Sequence, residues 1–163
     1  MKKIFSTLVY LGVGILVLGL LIWLGAAVKG GSQPTGPASF SLDRTSADLG
    51  EMEVKDEKTA EFILTNNGAS SLLLAQFETS CNCTFATVTV AGKKSPTFNM
   101  KAHMPASDYY WKTEVAPGAQ AKIQVVYKPS LMPVYGVVER SLKFKTSDPN
   151  QPLVELVVKA FVK

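Results

Sequence analysis

Residues 121–127 read Ala121-Lys122-Ile123-Gln124-Val125-Val126-Tyr127. Ala121, Ile123, Val125 and Tyr127 take every second position, with Lys122 and Gln124 between them. Successive side chains of a strand point to opposite faces, so this period of two predicts a strand with one buried side. The pattern recurs on both sides of this stretch. Upstream, Ala60, Phe62 and Leu64 alternate with Glu61 and Thr65, and Ala86, Val88 and Val90 with Thr87 and Thr89. Downstream, Leu142 and Phe144 alternate with Lys143 and Lys145, and Val154, Leu156, Val158 and Ala160 with Glu155 and Lys159. Leu72 to Phe77 adds a more continuous apolar run, and Phe40 to Leu42 and Leu49 to Val54 open the set. Asn66-Asn67-Gly68, Ala91-Gly92-Lys93, Pro117-Gly118 and Asp148-Pro149-Asn150 separate the runs with residues that reversals need. No sustained helical period follows residue 28. About seven short strands divided by regular turns predict an all-β domain, an immunoglobulin-like β-sandwich.

The start of the chain has a different character. Lys2 and Lys3 precede Ile4 to Val28, a stretch without a charge that carries Tyr10 and Trp23 near its ends. A helix of about 21 residues spans ~30 Å, the thickness of a bilayer core. Residues 1–28 are therefore expected to form a transmembrane signal anchor, with the lipid bilayer as partner of residues 4–28. Positive charge stays on the cytoplasmic side. The expected location is thus a bacterial inner membrane, single-pass, with the C-terminal domain outside. The competing reading is a cleaved signal peptide, with Gly25-Ala26-Ala27 as the cleavage site. Residues 29–39 (KGGSQPTGPAS) read as a linker, and residues 40–163 as the domain.

Charge narrows the partners. The sequence has 17 Lys and Arg; setting aside Lys2 and Lys3 leaves 15 against 13 Asp and Glu. The basic residues are scattered, and Lys93-Lys94 is their densest pair. A nucleic-acid surface needs a patch or stripe, so no nucleic-acid partner is expected.

The landmarks Asp48-Leu49-Gly50, Thr65-Asn66-Asn67-Gly68, Ser80-Cys81-Asn82-Cys83-Thr84, Ala116-Pro117-Gly118 and Ser147-Asp148-Pro149 resemble the bacterial domain of unknown function 1573 family. That family is an immunoglobulin-like module related to the ASH and PapD-like sandwiches, and the resemblance covers about residues 40–162. The Ser-Cys-x-Cys-Thr element is its most specific part. The chain departs from it at Asn82, where the family usually has Gly, and in residues 92–114, which read as an insertion. The resemblance implies a fold and an envelope location, and no catalytic residue.

Cys81 and Cys83 are the foremost candidates for chemistry. In a straight strand, residues two apart have Cα atoms ~6.5–7 Å apart, at or beyond the disulfide limit, so a bridge requires a kink. Three readings stand side by side: structural thiols or a small-ring disulfide, a soft-metal site, and a redox pair. Met100, His103 and Met104 strengthen the metal reading, because thiolate, thioether and imidazole together suit Cu(I). Against it, Met fills gaps in packing and a loop His is commonly solvated. Tyr109-Tyr110-Trp111 either covers the open end of the sandwich or forms a contact surface. Glu51, Glu53, Asp56 and Glu57 read as a solvated acidic cluster. One His, with no nucleophile elbow and no Gly-rich phosphate loop, leaves no general-base constellation, so no enzymatic activity is expected.

The expected function is a membrane-anchored, extracytoplasmic module that binds or scaffolds another envelope protein. The alternative is Cu(I) binding or copper delivery through Cys81, Cys83, Met100, His103 and Met104. Protease added to spheroplasts is expected to digest residues 32–163 of a chain that otherwise stays with the membrane. A soluble mature protein starting near Val28 would contradict the anchor.

Overall fold

Alternation along each segment sets which side chains meet between two sheets. The computed structural model describes Leu16 and residues 36–163. The expected anchor over residues 1–28 thus lies outside the described residues, apart from Leu16. No described helix is long and apolar enough to cross a membrane.

Ten strands are present among the described residues: β1 (Phe40–Leu42), β2 (Ser46–Met52), β3 (Lys58–Asn66), β4 (Leu72–Thr79), β5 (Thr84–Val90), β6 (Lys93–Lys94), β7 (Lys112–Val115), β8 (Gln120–Tyr127), β9 (Gly136–Thr146) and β10 (Leu153–Val162). A single helical turn, α1 (Ala106–Tyr109), precedes β7. One sheet has the order β1-β3-β8-β5-β6 and the other β2-β10-β9-β4-β7. All pairings are antiparallel except β2 with β10. The all-β, immunoglobulin-like architecture expected from the alternation is present, with more strands than the about seven expected. β6 and all but the last residue of β7 lie in residues 92–114, where no period of two is visible. The N-terminal stretch divides at Asp43–Thr45, so that β1 joins one sheet and β2 the other.

The core follows the parity of the strands. Phe62, Leu64, Ile123, Val125, Leu142, Phe144 and Leu156 are wholly buried. β4 is the exception that explains itself. Leu72 and Leu74 point inward, and so do Phe77, three residues after Leu74, and then Thr79. Gln76 has φ 54°, and the register against β9 shifts between Ala75 and Glu78. A bulge of this kind moves every later side chain to the other face. It turns Phe77 inward, where its ring stacks on Phe144 at 5.0 Å and on Phe98 at 4.7 Å. Phe98 comes from the insertion and bridges to Ala86 of β5. Trp111 closes the group, 5.5 Å from Phe98 and 6.0 Å from Phe77. The insertion is therefore part of the core.

The chain enters the sandwich at one end. Ser70 donates a hydrogen bond to the Gly36 carbonyl at 2.8 Å. Gly68 lies so close to this entry that a Cβ would stand 2.6 Å from the Ser39 nitrogen. β8 begins at this end, opposite Thr65, and finishes at the other, where Tyr127 pairs with Lys58 and Thr84. Eight strand residues separate the two ends by about 25 Å.

Truncating Phe144 to Ala should destabilise the domain by ~3–5 kcal/mol in denaturant unfolding, since it removes a wholly buried ring from a stack. A loss below ~1 kcal/mol would contradict this packing.

Candidate functional site

At the end far from the chain's entry, residues Ser80 to Cys83 turn β4 into β5. The Thr84 N–H donates to the Cys81 carbonyl at 3.1 Å, and the Cys83 N–H to Cys81 Sγ at 2.9 Å. The turn draws the two Cα atoms to 5.2 Å, and the pair is a disulfide. This is the kink that a straight strand lacks. It needs no left-handed residue between the cysteines: the described non-glycine residues with positive φ are Gln76 and Ala91. Thr79 Oγ1 lies 3.0 Å from the carbonyls of both Cys81 and Thr84. Asn99 Nδ2 donates to the Thr84 carbonyl at 2.8 Å and to that of Asn82 at 3.3 Å. The turn is thus pinned to both the strand before it and the insertion.

Both cysteines are buried in a second apolar cluster with Met52, Tyr127, Val138, Ala160 and Val162. Two neighbours matter chemically. Met132 Sδ is 3.8 Å from Cys81 Sγ, although 51 residues separate them in sequence. Arg140 Nε is 3.3 Å from Cys83 Sγ, and its guanidinium lies 5.7 Å from the centre of the Tyr127 ring. Arg140 shares the inward parity of Val138 and Leu142. No carboxylate among the described residues pairs with it. Arg140 also donates to the Glu139 carbonyl at 2.9 Å. Tyr127 Oη is buried nearby without a hydrogen-bond partner.

The other candidates lie in the insertion. Met100 lines a shallow cleft with Thr79, Ser80 and Lys143. His103 is exposed at the end of a 3-10 turn, and Met104 packs against the main core. Among the described residues, no three or more His, Cys, Asp or Glu gather as a metal cluster. Tyr109 and Tyr110 meet edge to face at 5.3 Å, with the Lys101 ammonium 4.4 Å from the Tyr109 ring centre. Tyr110 is exposed, while Trp111 is drawn into the aromatic group described above.

A second feature adjoins the cysteines. Leu131, Met132, Val134 and Tyr135 stand exposed on the loop between β8 and β9. Val137 is 78% exposed, Tyr135 is 70% exposed, and Val137 faces Phe161 across the β9–β10 pair. These residues form an apolar crest. Leu131-Met132-Pro133-Val134-Tyr135 is an uncharged apolar run in a loop, a signal open to sequence reading. Ion pairs rim it: Lys163 to Glu51 and Lys159 to Glu139, both at 2.6 Å. The hydrogen bond and charge of Lys163 hold the Glu51 carboxyl below its ordinary pKa, and Glu51 raises that of Lys163 in return. Glu139 does the same for Lys159.

Two sheets face to face, a first strand divided between them and a parallel β2–β10 pair define an immunoglobulin-like module. More particularly, the chain belongs to the HYDIN/CFA65/VesB-like, Ig-like domain family, which matches residues 38–161. Among solved structures it is similar to a protein of unknown function from Porphyromonas gingivalis W83, with 18% identity and a TM-score of 0.56. That match covers 82% of this chain and 51% of the other, so the chain spans about half that protein's length. It is also similar to a family 123 glycoside hydrolase from Clostridium perfringens, with 9% identity and a TM-score of 0.51, over 77% of this chain and 27% of that one. A third likeness is to the ASH/PapD-like domain 7 of human CEP192, with 12% identity and a TM-score of 0.49, over 83% and 92% of the two chains. At these identities the first two likenesses are of fold alone. No curated protein matches the sequence.

The bridge closes a very small loop, so chain-entropy arguments give it only about 1.5 kcal/mol of stability. The Cys81→Ser/Cys83→Ser double variant should therefore fold and lose about that much in urea unfolding. Failure to fold would mean that the bridge holds the sandwich together.

Proposed function

We propose that this chain is a membrane-anchored, extracytoplasmic immunoglobulin-like module that binds or scaffolds another protein of the bacterial envelope through its apolar crest. The observation that carries this reading is the crest itself. Leu131, Val134, Tyr135, Val137 and Phe161 expose apolar side chains on and beside the β8–β9 loop, and Val137 and Phe161 are cross-strand partners. Such patches mark interaction sites, and Tyr is enriched where binding energy concentrates.

Placement supports the same reading. The crest lies at the end of the sandwich opposite Gly36, clear of the contacts by which Ser70 holds that residue. The resemblance to the bacterial domain of unknown function 1573 family supports an envelope setting. The rim of Glu51–Lys163 and Lys159–Glu139 pairs gives the surface a polar border, as binding sites commonly have. Tyr110 offers a further exposed aromatic contact in the insertion.

Val137→Asp and Tyr135→Asp place a charge on an exposed position and should leave the unfolding free energy within ~1 kcal/mol of the parent. Each should abolish co-purification of the partner from detergent-solubilised membranes, while an outward substitution on the other sheet, Lys122→Asp, should not. Equal recovery by all three variants would overturn the crest as the binding surface.

A further inference from the structure

The crest end gathers four sulfur-bearing side chains: Cys81, Cys83 and Met52 share one buried cluster, and Met132 lies against Cys81. Cys81 and Cys83 are bridged, and Met132 Sδ stands 3.8 Å from Cys81 Sγ. We propose that the reduced chain binds one Cu(I) ion between these three sulfurs, with Cys81 and Cys83 as thiolates and Met132 as the thioether.

Donor chemistry selects the ion. Two thiolates and a thioether form a soft, all-sulfur set suited to Cu(I), and among the described residues no carboxylate or imidazole belongs to the cluster around the cysteines. Charge agrees with this choice. A monovalent ion between two thiolates leaves one net negative charge in a buried cluster. The Arg140 guanidinium, 3.3 Å from Cys83 and free of any carboxylate among the described residues, supplies the matching positive charge. Without it the charged centre would be buried unpaired, which is costly. Access is also provided. Cys81 and Cys83 are buried, but Met132, which touches Cys81, is 47% exposed on a loop, so one ligand of the site reaches solvent.

The disulfide must open first. A dithiol reductant attacks one cysteine sulfur, the S–S bond breaks, and a mixed disulfide forms. The reductant's second thiol then displaces the remaining cysteine. Two electrons pass to the protein, which leaves as two thiols, and the reductant leaves as its own disulfide. Cu(I) displaces both thiol protons on binding and keeps its oxidation state, so uptake releases two protons and strengthens as pH rises. The disulfide form has no thiolate to offer, which makes loading dependent on redox state.

This proposal goes beyond the binding of a protein partner, and Met132→Leu separates the two because it removes sulfur while keeping the crest apolar. The test uses the full chain in detergent, reduced with a phosphine under nitrogen, freed of reductant and titrated with Cu(I) against a chromogenic chelator. One ion per chain is expected for the reduced parent and none for the oxidised one. Met132→Leu should weaken binding about tenfold or more. Cys81→Ser should abolish it, and His103→Ala and Met104→Leu should bind as the parent does. X-ray absorption should show sulfur neighbours only. No stoichiometric uptake, equal uptake by oxidised chain, or a Met132→Leu variant that binds like the parent would overturn the site. A loss in His103→Ala would move it to the insertion and overturn it equally. Should Cys81→Ser unfold, the Met132→Leu affinity still decides, because that change at a half-exposed position leaves the fold intact.

Discussion

A left-handed backbone at Gln76, φ 54°, lets β4 change parity in mid-strand, and much of the structure depends on the result. For a residue with a Cβ this conformation costs roughly 1–2 kcal/mol. Burying the Phe77 ring returns roughly 1.5–3 kcal/mol, and its stacking on Phe144 and Phe98 adds roughly 0.5–1.5 kcal/mol per pair. The strain is offset, and the sandwich gains a column of rings that runs from β9 through β4 into the insertion. Phe98 anchors one end of the insertion and Trp111 the other. The same parity change places Thr79 inward, where its hydroxyl holds the turn that carries both cysteines.

The cysteine turn and the crest are therefore neighbours for one structural reason. β4 delivers the turn to the end of the sandwich where β8 finishes, and the chain must then cross from β8 to β9 over that end. The crossing carries Met132 onto Cys81, and the first inward positions of β9 carry Val138 and then Arg140. An arginine at an inward position would be costly in the main core. Here it lies between the main core and the second cluster, over an aromatic ring and against sulfur. That arrangement gives the end of the domain two distinct chemistries: an exposed apolar surface and, beneath it, a set of sulfurs with a balancing cation.

The sandwich was legible because strand alternation is a local signal. Phe62, Leu64, Val125, Phe144 and Leu156 can be placed inside from their immediate neighbours, and all five are wholly buried. What was not legible is of a different kind. Gln76 breaks parity through its backbone, which its side chain does not announce. Phe98 and Trp111 sit among Pro, Asn, Lys and Tyr, a composition that reads as loop, and their burial depends on Phe77 being turned toward them. Met132 meets Cys81 across 51 residues of chain, a distance that spacing arguments do not reach. Arg140 was within reach: it occupies the inward place between Val138 and Leu142, and a charge at such a place calls for a partner. The insertion's Met100, His103 and Met104 were conspicuous because they are close in sequence, a weaker guide than closeness in the fold.

The central claim is that the end carrying Tyr135 is the surface by which this domain meets another protein. A photo-crosslinking amino acid placed at position 135 in living cells tests it most directly, with position 61 on the outer face of the other sheet as the control. The account predicts one discrete adduct with an envelope protein from position 135 and none from position 61. No adduct from position 135, or the same adducts from both positions, would contradict it.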